Sequence, residues 1–207
     1  MNILSFRNAL KDFISFNLND IRKVYADFDL RRLSEWQKKG YLKMIRKGHY
    51  VFSDQQINEQ VLYLLANKIY SPSYISMETA LSHYNLIPET VYAITSLSPR
   101  KTKRFKTGLG EFIYRHIKPQ LMFGYILVSY KGHSFKIAEP EKVILDYFYL
   151  NTGLNTEDDF AGLRFNEEEF NEQIDYNKIQ KYLVAFDNKR LEKRFKKFIM
   201  HINHDQH

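Results

Sequence analysis

The chain has 207 residues, with 31 Lys+Arg, 24 Asp+Glu and no cysteine, for a formal net charge of +7. A hydrophobic share of 44% is enough to build packed cores and excludes wholesale disorder. The lack of cysteine excludes a disulfide scaffold, a thiolate zinc site, an iron–sulfur centre and a cysteine nucleophile.

Residues 3–16 place Ile3, Leu4, Phe6, Leu10, Phe13 and Ile14 near helical spacing. Asn19 then offers a cap for a short helix through Ala26. Asp27 and Asp29 offer caps for a third helix, with Leu30, Leu33 and Trp36 facing inward and Gly40 ending it. Tyr41–Ile45 and His49–Phe52 read as two short strands around Arg46-Lys47-Gly48. Three helices followed by a hairpin is the order of a winged helix-turn-helix. Residues 55–70 read as one more helix, with Val61, Leu62, Leu65 and Ile69 on one stripe; Ser71-Pro72-Ser73 then breaks the chain. The boundary is placed here, giving domains 1–70 and 71–207, although this helix can belong to either side.

Ser76 reads as the cap of a helix through Tyr84. Strands follow at Val91–Thr95, Phe112–His116, Tyr125–Val128 and Phe135–Ala138. Pro140 opens a helix through Leu150, with a broad apolar face of Val143, Ile144, Tyr147, Phe148 and Leu150. Residues 151–166 are less regular, and two or three helices close the chain. The fold class is α+β: an N-terminal winged helix-turn-helix, then a larger mixed α+β domain ending in helices.

Charge falls in blocks. Residues 1–52 and 97–118 each carry net +6, 139–177 carry −9, and 178–198 carry +6. Off the core stripe of the third helix lie Arg31, Arg32, Ser34, Glu35, Lys38 and Lys39, and on the hairpin lie Lys43, Arg46, Lys47 and His49. Arg reads guanine edges bidentately, and Lys and Ser commonly hold phosphates, so these ten residues form a candidate DNA interface. The competing reading is a basic helix in a protein-binding winged helix. Arg100, Lys101, Lys103, Arg104 and Lys106 form a possible second basic patch, or else a solvated strand edge kept from pairing by its charge.

Other constellations read as structure. Gly108-Leu109-Gly110 lacks the strand–helix context of a phosphate loop and reads as a turn. His201, His204 and His207 have a three-residue spacing, but at a terminus that reads as frayed. Glu157, Asp158 and Asp159, then Glu167, Glu168 and Glu169, suit helix starts better than a magnesium site. No cofactor or metal is expected and no catalytic arrangement assembles. Arg7, Lys11 and Asp12 interrupt any signal-peptide core, and apolar runs such as Val61–Ala66 are too short to span a membrane. A soluble cytoplasmic protein is therefore expected.

Three segments together resemble the AbiEi-type antitoxins, the regulators of type IV toxin–antitoxin (abortive infection) systems. They are Trp36-x3-Gly40-Tyr41-Leu42-x2-Ile45-x-Lys47-Gly48-His49-Tyr50, then Pro72-Ser73-Tyr74-Ile75-Ser76-x3-Ala80-Leu81-x2-Tyr84-x-Leu86-Ile87-Pro88, and Ala138-Glu139-Pro140-Glu141-Lys142-Val143-Ile144-Leu145-Asp146. The likeness covers about residues 18–150; nothing after 150 matches. It implies a winged helix that binds inverted repeats in its own promoter and an α+β domain contributing to repression and antitoxicity. It also implies a functional link to a nucleotidyltransferase toxin without a required stable complex. By position, Arg46, Lys47 and His49 match that family's basic wing. The alternatives are a winged-helix interaction module without specific DNA binding, and an enzyme on nucleic acid using the 157–169 carboxylates.

Overall fold

The structure, a computed structural model, describes residues 1–89 and 91–204. The N-terminal unit comprises α1 (Ile3–Ala9), β1 (Phe16–Asn17), α2 (Leu18–Val24), α3 (Arg31–Lys38), β2 (Leu42–Arg46) and β3 (His49–Phe52). Asn17, not Asn19, caps α2: its side chain accepts from Asp20 N at 3.1 Å, and the Asp20 carboxylate accepts from Asn17 N at 3.0 Å. This reciprocal box needs an acid three residues after the cap, and only Asn17 has one. At the end of α3, Gly40 (φ +74°) donates to Gln37 O at 3.0 Å and Tyr41 donates to Trp36 O at 2.9 Å. That pair of bonds is a Schellman motif, with glycine where the chain turns left-handed.

The hairpin β2–β3 turns through Lys47-Gly48, with Gly48 at φ +81°, and β1 adds beside β3 in the order β1-β3-β2. The three helices and the hairpin follow in the expected order, but the first helix stops at Ala9 and an unexpected short strand, β1, stands between it and α2. The six residues between α2 and α3 exceed the usual three or four. A small aromatic core holds the unit together: the Phe6 ring lies 4.7 Å from Trp36, and Phe16 lies 5.0 Å from Phe52. Leu30, expected inside, is 49% exposed because it precedes the first helical turn; Phe28 is buried in that core.

The second unit contains α4 (Glu59–Ile69), β4 (Tyr74–Ile75), α5 (Met77–His83), β5 (Ala93–Ser98), β6 (Lys103–Thr107), β7 (Gly110–His116), β8 (Tyr125–Tyr130), β9 (His133–Ala138) and α6 (Pro140–Leu150). α7 (Glu157–Ala161), α8 (Glu167–Gln173), α9 (Tyr176–Phe186) and α10 (Lys189–His204) follow. Its six strands form one mixed sheet, β6-β7-β5-β4-β9-β8. The outer pairs are antiparallel hairpins, while β5–β7 and β4–β9 run parallel.

Opposite faces of this sheet are covered by α4 and α6. Tyr114 on β7 donates to Ala66 O of α4 at 2.6 Å; its neighbour Arg115 donates to Leu150 O at the end of α6 at 3.1 Å. Successive strand residues point to opposite faces. The buried residues of α4, from Val61 to Ile69, all join this larger core. A division at residue 70 would cut the helix from the core it builds, so packing places the boundary within residues 53–58. Even this boundary is shared: Leu42 and Phe52 of the hairpin belong to the small core, and Ile45 and Val51 to the large one.

Inside the large core lies a buried ion pair. Lys142 and Asp146, one turn apart on α6, have fully buried side chains and hydrogen-bond to each other. Tyr74 and Ser76 each donate to Asp146 at 2.9 Å. Lys142 also donates to Tyr74 Oη at 2.9 Å and sits 4.8–5.2 Å from the ring centres of Tyr74, Phe123 and Phe186. Ser76 occupies the N-cap position of α5 but spends its hydroxyl on Asp146 instead of capping. Burial pushes the Asp146 carboxyl up and the Lys142 ammonium down, and their mutual attraction opposes both shifts. Gly124 (φ +66°) packs against this lysine, where a Cβ would lie 3.0 Å from Lys142 Cγ.

Removing one partner of a buried pair strands the other charge. Asp146→Ala is expected to cost about 3–5 kcal/mol in urea unfolding, and Lys142→Met/Asp146→Leu less than Asp146→Ala alone.

Candidate nucleic-acid interface

Leu33 and Trp36 of α3 are buried, while Arg31, Ser34, Glu35, Lys38 and Lys39 are exposed. Glu35 and Lys39 pair at 2.7 Å. Their hydrogen bond holds the carboxyl below its ordinary range and the ammonium above it. The Arg31 guanidinium meets Asp29 at 3.2 Å, and the Arg31 backbone N–H, donating to the same carboxylate, is the larger cause of Asp29's lowered pKa. Among the described residues, no hydrogen bond or ion pair engages the side chains of Ser34 or Lys38. Arg32 departs from the expected outward face: it is half-buried and donates to Met1 O, tying the N-terminus to α3.

The hairpin divides its cations the same way. Lys43 and Lys47 are exposed, with no side-chain partner among the described residues. Arg46 and His49 instead face the second unit. Arg46 donates to Ile69 O at the end of α4 and lies 4.7 Å over the Phe105 ring. The His49 ring is half-buried, with Nδ1 unpartnered. Burial, then the Arg46 and Lys68 charges, hold its pKa below the usual histidine value. Lys68 itself donates to Ser15 O and meets Asp20 at 3.5 Å, stitching α4 to the N-terminal unit. The sequence reading of a free basic wing missed this because nothing in the sequence says that one side of the hairpin has a neighbour.

The run 100–106 forms the edge strand β6 and the residues leading into it, and β6 lies beside β2. Two basic blocks some sixty residues apart in sequence are therefore brought together. Lys101, Lys103 and Lys106 are exposed, with no side-chain partner among the described residues. Arg104 pairs with Glu111 at 2.7 Å, and Arg100 lies 5.4 Å over the Tyr70 ring, whose hydroxyl donates to Lys101 O at 2.8 Å. Exposed Arg22 and Lys23, in the last turn of α2, are further cations that sequence reasoning did not single out. The i, i+4 spacing of Lys142 and Asp146 within an apolar run was the one available signal of the buried pair.

Gly108-Leu109 is the turn of the β6–β7 hairpin, which closes with Thr107 opposite Gly110. The acidic runs occupy the first turns of α7 and α8, and Asp159 completes a capping box with Thr156. Neither run lines the cleft of about 730 Å³ between Asn58, Glu59, Tyr63, Glu89 and Arg164. The His201 ring packs 5.9 Å from Phe160; the side chain of His204, and His207, lie outside the described residues. Among the described residues no helix is long and apolar enough to cross a membrane, and no cluster of three or more potential metal-binding side chains occurs. No protein-family model matches this sequence, and no curated protein matches it.

With its folded pKa depressed, His49 supports the fold when neutral. Its contribution is present above the unfolded value of about 6.5 and lost as pH falls towards and through the lower folded value. His49→Gln should flatten the loss of thermal stability as pH falls below about 6.5, measured against the parent protein.

Proposed function

We propose that this chain is a non-enzymatic, DNA-binding transcriptional autorepressor and antitoxin of a type IV toxin–antitoxin operon, acting in the cytoplasm. In this reading α3 enters the major groove of its own promoter, and the hairpin and β6 hold flanking phosphates. The observation that carries the DNA-binding part is a set of exposed lysines, Lys38, Lys43 and Lys47, without side-chain partners among the described residues, on a unit of three helices and a hairpin. Lys101, Lys103 and Lys106 extend the set. Phosphate neutralisation by such groups dominates affinity and makes it salt-dependent. The antitoxin part rests on the three-segment resemblance alone, with a nucleotidyltransferase as the toxin to be countered.

Arg46 supplies an internal control. Lys38→Ala/Lys43→Ala/Lys47→Ala should weaken binding to the upstream DNA in gel shifts. Each lost phosphate contact should lower the slope of log K against log salt by about 0.9. Thermal stability should hold within about 0.5 kcal/mol per site, because these side chains are exposed and make no hydrogen bond or ion pair among the described residues. Arg46→Ala should do the reverse, costing about 1–3 kcal/mol of stability with little change in salt slope.

A second reading, a protein-binding winged helix, draws on the exposed apolar residues Leu30, Tyr41 and Met44 beside the same basic face. Weak, salt-insensitive and sequence-indifferent DNA binding by the folded protein would favour it. Antitoxicity is tested separately: the neighbouring open reading frame is expected to encode a nucleotidyltransferase, and co-expression should relieve its toxicity; a neighbour of another class, or unrelieved toxicity, would remove that part of the proposal.

A further inference from the structure

The two edges of the six-stranded sheet are built differently. β6 carries Lys103, Arg104 and Lys106, charges that deter an incoming strand. β8 reads Tyr125-Ile126-Leu127-Val128-Ser129-Tyr130, with no charge and no proline. Among the described residues its one strand neighbour is β9. Tyr125 stacks on Tyr74 at 5.3 Å, and the Tyr130 hydroxyl accepts from Asn58 at 2.7 Å, so both ends are pinned. Between them, Ile126 is 43% exposed and Leu127 66%.

The hairpin decides which backbone groups of β8 are free. β8 and β9 join through Lys131-Gly132, both at positive φ (+48° and +77°), a type I′ turn. The flanking residues Tyr130 and His133 exchange hydrogen bonds, and bonded and non-bonded pairs alternate from there. Past the strand's start, Glu139 donates to Gly124 O at 2.9 Å, in phase with that alternation. Ile126, Val128 and Tyr130 thus turn their amides and carbonyls to β9. Tyr125, Leu127 and Ser129 turn theirs outward, and no hydrogen bond among the described residues engages them.

We propose that β8 is a self-association edge, on which a second copy of the chain pairs antiparallel about a twofold axis through Leu127. In this register Leu127 exchanges both backbone bonds with its own counterpart, and Tyr125 does so with Ser129. Every outward group is then satisfied. Ile126 falls opposite Val128 in the closer, non-hydrogen-bonded pairs, aliphatic against aliphatic on both sides of the axis. The occupant is a second copy because the edge is complementary to itself: the Ile-Leu-Val centre pairs apolar with apolar, and no like charges meet. A strand about 20 Å long buries well under the about 1,200 Å² of stable complexes, so the dimer is concentration-dependent. This inference is independent of DNA binding.

Because the chain lacks cysteine, single-cysteine variants each report one contact. In Leu127→Cys the two Cα atoms would lie about 5.5 Å apart, within disulfide reach. In Ser129→Cys they would lie about 14 Å apart, out of reach. Under mild oxidation Leu127→Cys is expected to cross-link at least about tenfold faster than Ser129→Cys. The wild-type mass in sedimentation equilibrium should rise with concentration, and Leu127→Lys should abolish the rise with an unchanged melting temperature. Equal cross-linking rates, a wild-type monomer at every concentration, or undiminished association of Leu127→Lys would each overturn the proposal.

Discussion

The buried Lys142–Asp146 pair is the constraint around which the larger unit is arranged. Two opposite charges in an apolar interior lose hydration worth several kcal/mol each, and attraction alone repays that poorly. The surroundings do the rest. Asp146 accepts from Lys142, Tyr74 and Ser76; Lys142 donates to Asp146 and Tyr74, with aromatic rings around its remaining side. Each of those partners comes from a different place: β4, the start of α5, the segment before β8, and α9. Satisfying one helix's charges thus specifies where four other segments sit. The requirement reaches the backbone at Gly124, where a side chain would strike the lysine. It also redirects Ser76 from capping α5 to holding the carboxylate.

A second set of contacts makes the N-terminal unit and the sheet one object. Arg46 spans from the hairpin to α4 and Phe105, Lys68 returns from α4 to Ser15 and Asp20, and His133 meets Asp12 O at 2.8 Å. The hairpin is the shared wall, with alternate residues entering separate cores. A cation on such a wall has two uses depending on which way it points. Lys43 and Lys47 point to solvent and keep their charge available, whereas Arg46 spends its guanidinium on a carbonyl and a ring. The same joint fixes β6 beside β2, which brings two strands from distant basic runs next to each other.

How much of this was legible in the sequence varies with the range of the interaction. The helix ends were readable where the signal is local: Gly40 after Lys39, Asp29 before Arg31, Pro140 at the start of α6. The hairpin of the N-terminal unit and most strands of the sheet were likewise readable from alternation and turn residues. One misreading was local: Asn19 reads as the cap of α2, whereas Asn17 has the acid three residues on. The others arose where partners are far away in the chain. The boundary was set at a Ser-Pro break at residue 70, because a break in chain chemistry marks a loop, not the core to which the preceding helix belongs. Arg32, Arg46 and His49 were grouped with the outward cations because residue type says nothing about direction.

By itself, the sequence determined the mixed class, the succession of three helices and a hairpin in the first fifty residues though not the short strand β1, and the concentration of positive charge there. Periodicity, capping and turn chemistry act within a few residues and need no knowledge of the rest. Only the tertiary structure decided which of those cations remain free, that α4 belongs to the second core, that a lysine and an aspartate lie fully buried together, and which edge of the sheet is left unguarded. Each of these depends on what packs against a side chain or a strand from far along the chain, and that neighbour exists only once the whole chain has folded.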